Sequence, residues 1–242
     1  IFKYNGNESD LKIPSDIDGY HIREIMAQAF ANNKSILSLT IPGSIITINE
    51  EAFKDCQNIS KLYIEDGVQS IYQKAFDNCN SIKDFSITDS VVNVGIRAFP
   101  YNIATINNNV YYIGHVAIGY TGEFDGHLVL NEDTIAIADN AFMGNTGLHL
   151  GVSKGNYHWC VKDEDVRFPD GLKVIGNGAF LDCDVKIYRI PDSVETIGDD
   201  ALFYDKQGIK DYNIDECKIY GKSNTEAESY ANANGINFVT TR

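Results

Sequence analysis

The stretch Ile36–Asn58, ILSLTIPGSIITINEEAFKDCQN, is one complete unit of a pattern. It runs on without a gap as Ile59–Ser81, ISKLYIEDGVQSIYQKAFDNCNS, and Ile82–Ala104, IKDFSITDSVVNVGIRAFPYNIA. Each unit opens with alternating apolar and polar residues, as in Leu39, Thr40 and Ile41, which is the period of a β-strand. Pro42 closes this stretch, as Pro169 and Pro191 do in later units, because proline has no N–H to carry a ladder onward. A turn of Gly, Asp and Ser follows, then an apolar pair three residues apart, such as Ile45 and Ile48 or Val68 and Ile71. An Ala-Phe step ends the unit. The small residue permits close approach, and the ring fills the interior.

That step recurs at Ala29-Phe30, Ala52-Phe53, Ala75-Phe76, Ala98-Phe99, Ala141-Phe142 and Ala179-Phe180, with Ala201-Leu202 as a worn copy. The intervals are 23, 23, 23, 43, 38 and 22 residues. A fixed period in the twenties is the signature of a solenoid, in which each repeat packs on the next. The phenylalanines are expected to form a buried, stacked core. Four residues after each alanine comes a second column: Asn33, Cys56, Cys79, Asn102, Asn145 and Cys183, then Asp205. Asn and Cys exchanging at one position suggests a small side chain turned inward to bond loop backbone, since unpaired buried backbone is costly. The thiols of Cys56 and Cys79 are expected to be free and buried.

Two intervals are too long. About 20 residues enter near 105–124, where Val110–Tyr120 is strand-like and suits a β-hairpin. About 15 enter near 148–162, a stretch that, with the residues beside it, gathers His149, His158, Trp159, Cys160, Asp163, Glu164 and Asp165. His158 and Cys160 have metal-capable side chains, but their spacing is not that of a structural zinc site. No P-loop, GxGxxG or GxSxG occurs.

With 34 acidic against 20 basic residues, the net charge of −14 argues against nucleic acid and anionic membrane as partners. No apolar run approaches the roughly 18 residues of a membrane span.

The repeat resembles that of the BspA-type leucine-rich repeat family, L-x-x-I-x-I-P-x-S-V-x-x-I-G-x-x-A-F-x-x-C. VKIYRIPDSVETIGDDAL at 185–202 and DEDVRFPDGLKVIGNGAFLDC at 163–183 carry it most fully. IPSDIDGYHIREIMAQAF at 13–30 is similar to the family's first repeat, with five extra residues, and KIYGKSNTEAESYANANGINF at 218–238 looks like its terminal unit. The resemblance implies an α/β solenoid: a right-handed leucine-rich repeat superhelix with a parallel β-sheet face. It would hold about seven repeats of 22–23 residues and a capping unit over 218–238, in one domain spanning 1–242, taken as a fragment of a longer chain. It also implies a bacterial secreted or cell-surface setting and an adhesion-type, non-enzymatic role without cofactor.

The expected function is a monomeric binding module whose partner is a protein or glycan, outside the cell and of host origin if the chain is an adhesin. The alternatives are a spacer presenting another domain and, more weakly, a hydrolase built on the insertions. Because side chains alternate across a strand, the outward residues of each first strand make the candidate binding face: Lys61, Tyr63, Asp84, His127, Asp165, Arg167 and Arg189.

Overall fold

A computed structural model of the chain describes residues 1–121, 128–143, 165–181, 183, 185–203 and 217–241. Of the sequence-derived positions, His127, Asn145, Asp163, Glu164, Asp205, residues 122–124 of the first insertion and the whole 148–162 insertion lie outside these. The chain divides into two compact units, Ile1–Ile106 with Tyr111–Val116, and Asn107–Val110 with Ala117–Arg242.

In the first unit, the alternating stretches become the parallel strands Asp10–Lys12, Ser38–Ile41, Lys61–Ile64 and Asp84–Ser86, in that order across one sheet. Leu11 lies opposite Leu39, Leu39 opposite Leu62, and Leu62 opposite Phe85, so the 23-residue step of the sequence is the register itself. Leu39, Ile41, Leu62 and Ile64 are buried, while the residues between them reach the surface. The second apolar pairs give a second parallel ladder, through Glu24–Ile25, Thr47–Ile48, Ser70–Ile71 and Asn93–Val94. The turns between the ladders stack tightly: a Cβ on Gly43 would lie 1.7 Å from the Asp66 carbonyl oxygen.

The third side carries no strand. Each phenylalanine N–H donates to the alanine carbonyl one repeat on, at 2.8 Å from Phe30 to Ala52, Phe53 to Ala75 and Phe76 to Ala98. To aim those amides forward, the residue before each alanine takes left-handed backbone, with φ of 58° at Gln28, 54° at Glu51, 56° at Lys74 and 55° at Arg97. Such residues cannot continue a helix. The α/β label is therefore loose, while the parallel-sheet solenoid it described holds. Among the described residues there is one α-helix, Glu226–Ala233, and each unit is a β-solenoid built on parallel sheets.

The rings of Phe30, Phe53, Phe76 and Phe99 stack with centroids 4.6, 5.0 and 5.4 Å apart. Tyr4 continues the stack at 4.8 Å from Phe30. Ile1 accepts from the Met26 N–H just as Ile25 accepts from Asn49, both at 2.9 Å, so the opening residues serve as part of a repeat. The extra residues of the first repeat lie within the antiparallel pair Asp16–Ile17 and Tyr20–His21. Its turn residues Asp18 and Gly19 have φ of 52° and 83°, the two positive values a tight hairpin needs.

In the second unit, the first-strand sheet runs Asp165–Arg167, Ile187–Arg189, Lys218–Gly221, Asn237–Thr240, all parallel. A second ladder joins Ala136–Ile137, Val174–Ile175 and Thr196–Ile197. Phe142 and Phe180 are buried and stack at 5.1 Å, and the amide-to-alanine bonds recur from Phe142 to Ala179 and Phe180 to Ala201. Val110–Ile113, largely in the first unit with Gly114, and Val116–Tyr120, largely in the second, are both strands, and Gly114 has a φ of 56°. No helix among the described residues is long and apolar enough to cross a membrane.

Candidate functional site

Two outward sheet faces hold the described candidate residues, and each belongs to one unit. On the first, one row reads Asp10, Ser38, Lys61, Asp84 and the next reads Lys12, Thr40, Tyr63, Ser86. The Tyr63 hydroxyl donates to Oδ2 of Asp84 on the neighbouring strand, which raises the phenol's pKa because the bond favours the protonated form. Lys12 Nζ lies 3.5 Å from Glu65 Oε1. Lys61 is exposed.

On the second face, one row is Asp165, Ile187, Lys218, Asn237 and the other is Arg167, Arg189, Tyr220, Val239. Arg189 is the anchored group. Its Nε donates to both carboxylate oxygens of Asp165 at 2.9 Å, and its guanidinium carbon sits 4.5 Å from the centre of the Tyr220 ring. Arg167 reaches the same carboxylate only at 3.5 Å and is largely exposed. Lys218 and Tyr220 were not among the sequence-derived candidates. The alternation of KIYG at 218–221 could have found them, since it sets both residues outward.

The inward polar column is backbone-directed. The thiols of Cys56, Cys79 and Cys183 donate to the carbonyl oxygens of Phe30, Phe53 and Phe142 at 3.1, 3.2 and 2.9 Å. Asn33 accepts from the N–H groups of Ser35 and Ile36, and Asn102 donates to the carbonyls of Asn80 and Ile82. Cys56 and Cys79 are buried free thiols. Burial pushes Cys56 up to about 11 and Cys79 higher still.

A cleft of about 740 Å³ in the first unit is lined by Lys83, Phe85, Ile87, Ile103 and Tyr112 among others. A second, of about 590 Å³, lies beside the helix, with Asp199, Asp200 and Glu226 in its wall. Among the described residues, no group of three or more His, Cys, Asp or Glu is placed to hold a metal.

The family model described as "BspA type Leucine rich repeat region" matches six copies over residues 2–149 and 152–239. No curated protein matches the chain. Solved structures similar to it include three bacterial leucine-rich repeat proteins. A leucine-rich repeat protein of T. pallidum (TpLRR) is 18% identical, with 98% of this chain and 88% of that one covered at a TM-score of 0.36. One from Bacteroides ovatus ATCC 8483 is 19% identical, with 99% and 65% covered at 0.37. A leucine-rich cell surface protein from Faecalibacterium prausnitzii A2-165 is 16% identical, with 99% and 89% covered at 0.36. The family assignment rests on the family match and the repeat geometry.

Proposed function

The chain belongs to the BspA-type leucine-rich repeat family, and we propose that it is a non-enzymatic binding module, secreted or held at a bacterial cell surface, that engages a protein or glycan. One observation carries this reading. Outward side chains on both sheet faces are held by one another across strands: Tyr63 by Asp84, and Arg189 by Asp165 and Tyr220. Long side chains already fixed in place lose less freedom when a partner arrives, and Tyr and Arg are enriched among residues that dominate binding energies. The solenoid supports the faces from behind, since each repeat needs only its neighbours.

The test is a binding screen of the 242-residue chain against extracellular-matrix proteins and a glycan array. Saturable binding to at least one of them is expected. A chain that folds and binds none overturns this reading and favours the spacer.

A further inference from the structure

We infer that the outward sheet face of the second unit is a subsite for a carboxylated polysaccharide, a glycan bearing uronate groups. This rests on the binding-module reading and goes further, because it names the ligand chemistry.

Charge is the first argument. The chain carries a net −14, yet among the described residues this face presents Arg167, Arg189 and Lys218 against the carboxylate of Asp165 alone. The equivalent rows of the first unit are balanced, with Lys12 and Lys61 against Asp10 and Asp84. Cations gathered on one face of an acidic protein attract an anion that the rest of the surface repels.

Geometry is the second. Arg167 and Arg189 are register partners, so their backbones stand about 4.8 Å apart, one strand spacing. Asp165 lies opposite Ile187, one step along the same two strands, and its carboxylate takes up the Nε of Arg189. Among the described residues, nothing bonds the terminal nitrogens of Arg189. Arg167 has only the 3.5 Å contact, and no described partner meets the Lys218 ammonium. Among the described residues, one carboxylate therefore serves two neighbouring guanidinium groups, and a ligand carboxylate would relieve the remaining repulsion. The planar fork matches a carboxylate with two parallel hydrogen bonds. The Tyr220 ring, 4.5 Å from the Arg189 guanidinium carbon, helps hold that group in place.

The third argument separates a glycan from an acidic peptide. A peptide gains affinity from main-chain hydrogen bonds at a strand edge, whereas this is a sheet face whose backbone groups already pair within the ladders. A peptide laid flat on it would leave its own amides facing side chains. A glycan has no such obligation: its carboxylates meet the arginines, and its hydroxyls stay in water.

The experiment is calorimetric titration of the whole chain with a galacturonate oligosaccharide, a neutral galactose oligosaccharide of equal length, and poly-glutamate. Galacturonate is expected to bind best, weakening as salt rises. Arg189→Gln and Arg167→Gln should each weaken it about ten-fold or more, the effect of losing one charge-assisted bidentate contact. Lys173→Gln, whose ammonium pairs with Glu195 at 2.8 Å elsewhere on this unit, should leave binding unchanged. Arg167→Gln alters an exposed side chain, so it stays informative if Arg189→Gln misfolds. Equal binding of the neutral sugar, tighter binding of poly-glutamate, or no galacturonate binding would each overturn the inference. A different ligand recovered in the wider screen would leave the binding-module reading standing while this inference falls.

Discussion

The thiol of Cys79 donates to the carbonyl oxygen of Phe53, one repeat back, at 3.2 Å. Cys56 repeats the bond to Phe30 at 3.1 Å. The column thus pairs a loop carbonyl that the sheets do not reach, and either a thiol or an amide can supply the donor. Both thiols are buried, so they should resist alkylation by iodoacetamide in the folded chain at pH 8 and react on unfolding. Rapid labelling of Cys56 or Cys79 in the native chain would contradict this placement.

The same burial sets a pH dependence. The Cys56 pKa rises from 9.0 to about 11 on folding, so between those values the folded state holds the proton that the unfolded state has lost. Stability is full below about pH 9 and falls as pH climbs towards 11, by an amount on the order of 2 kcal/mol for this group. Denaturant midpoints measured across this window should fall for the natural chain and fall less for Cys56→Ser.

Phe76 has 0% of its surface exposed and stacks between Phe53 and Phe99. Phe76→Ala should therefore cost about 3–5 kcal/mol in urea unfolding, the usual range for emptying a packed aromatic site. A cost under about 1 kcal/mol would mean that the ring column is not a supporting core.

The left-handed column before the alanines predicts effects of opposite sign. Gly178 has a φ of 58°, and a Cβ there would stand 2.4 Å from Asn140 Oδ1. Gly178→Ala should destabilise by about 1–2 kcal/mol. Lys74 holds φ at 56° with a side chain attached, so Lys74→Gly relieves strain and should be neutral or stabilising by up to about 1 kcal/mol. Equal losses from both changes would count against this backbone geometry.

This column also marks the limit of what the sequence discloses. The strands and the Ala-Phe core were legible because alternation and a 23-residue step map directly onto parallel register. The third side was not. Gln28, Glu51, Lys74, Arg97, Asn140, Gly178 and Asp200 all take positive φ, and no shared residue type announces it, so the helix implied by the α/β label could not be refused beforehand. Of the candidate face, the outward direction of Tyr63 and Arg189 followed from alternation. Their cross-strand partners did not, because Asp165 meets Arg189 only once register sets it opposite Ile187, two residues before Arg189 on the neighbouring strand. Tyr220 escaped notice because its strand read as part of a cap, whereas it extends the ladder beyond Arg189.

The most direct test of the recognition faces is a chain carrying Tyr63→Ala, Arg167→Ala and Arg189→Ala together, measured by surface resonance against whichever partner the screen recovers. The changes lie on sheet surfaces, so an unchanged repeat fold by circular dichroism is expected, with affinity reduced ten-fold or more, as loss of a Tyr or Arg hot spot implies. A folded triple variant that binds as tightly as the natural chain would contradict the account.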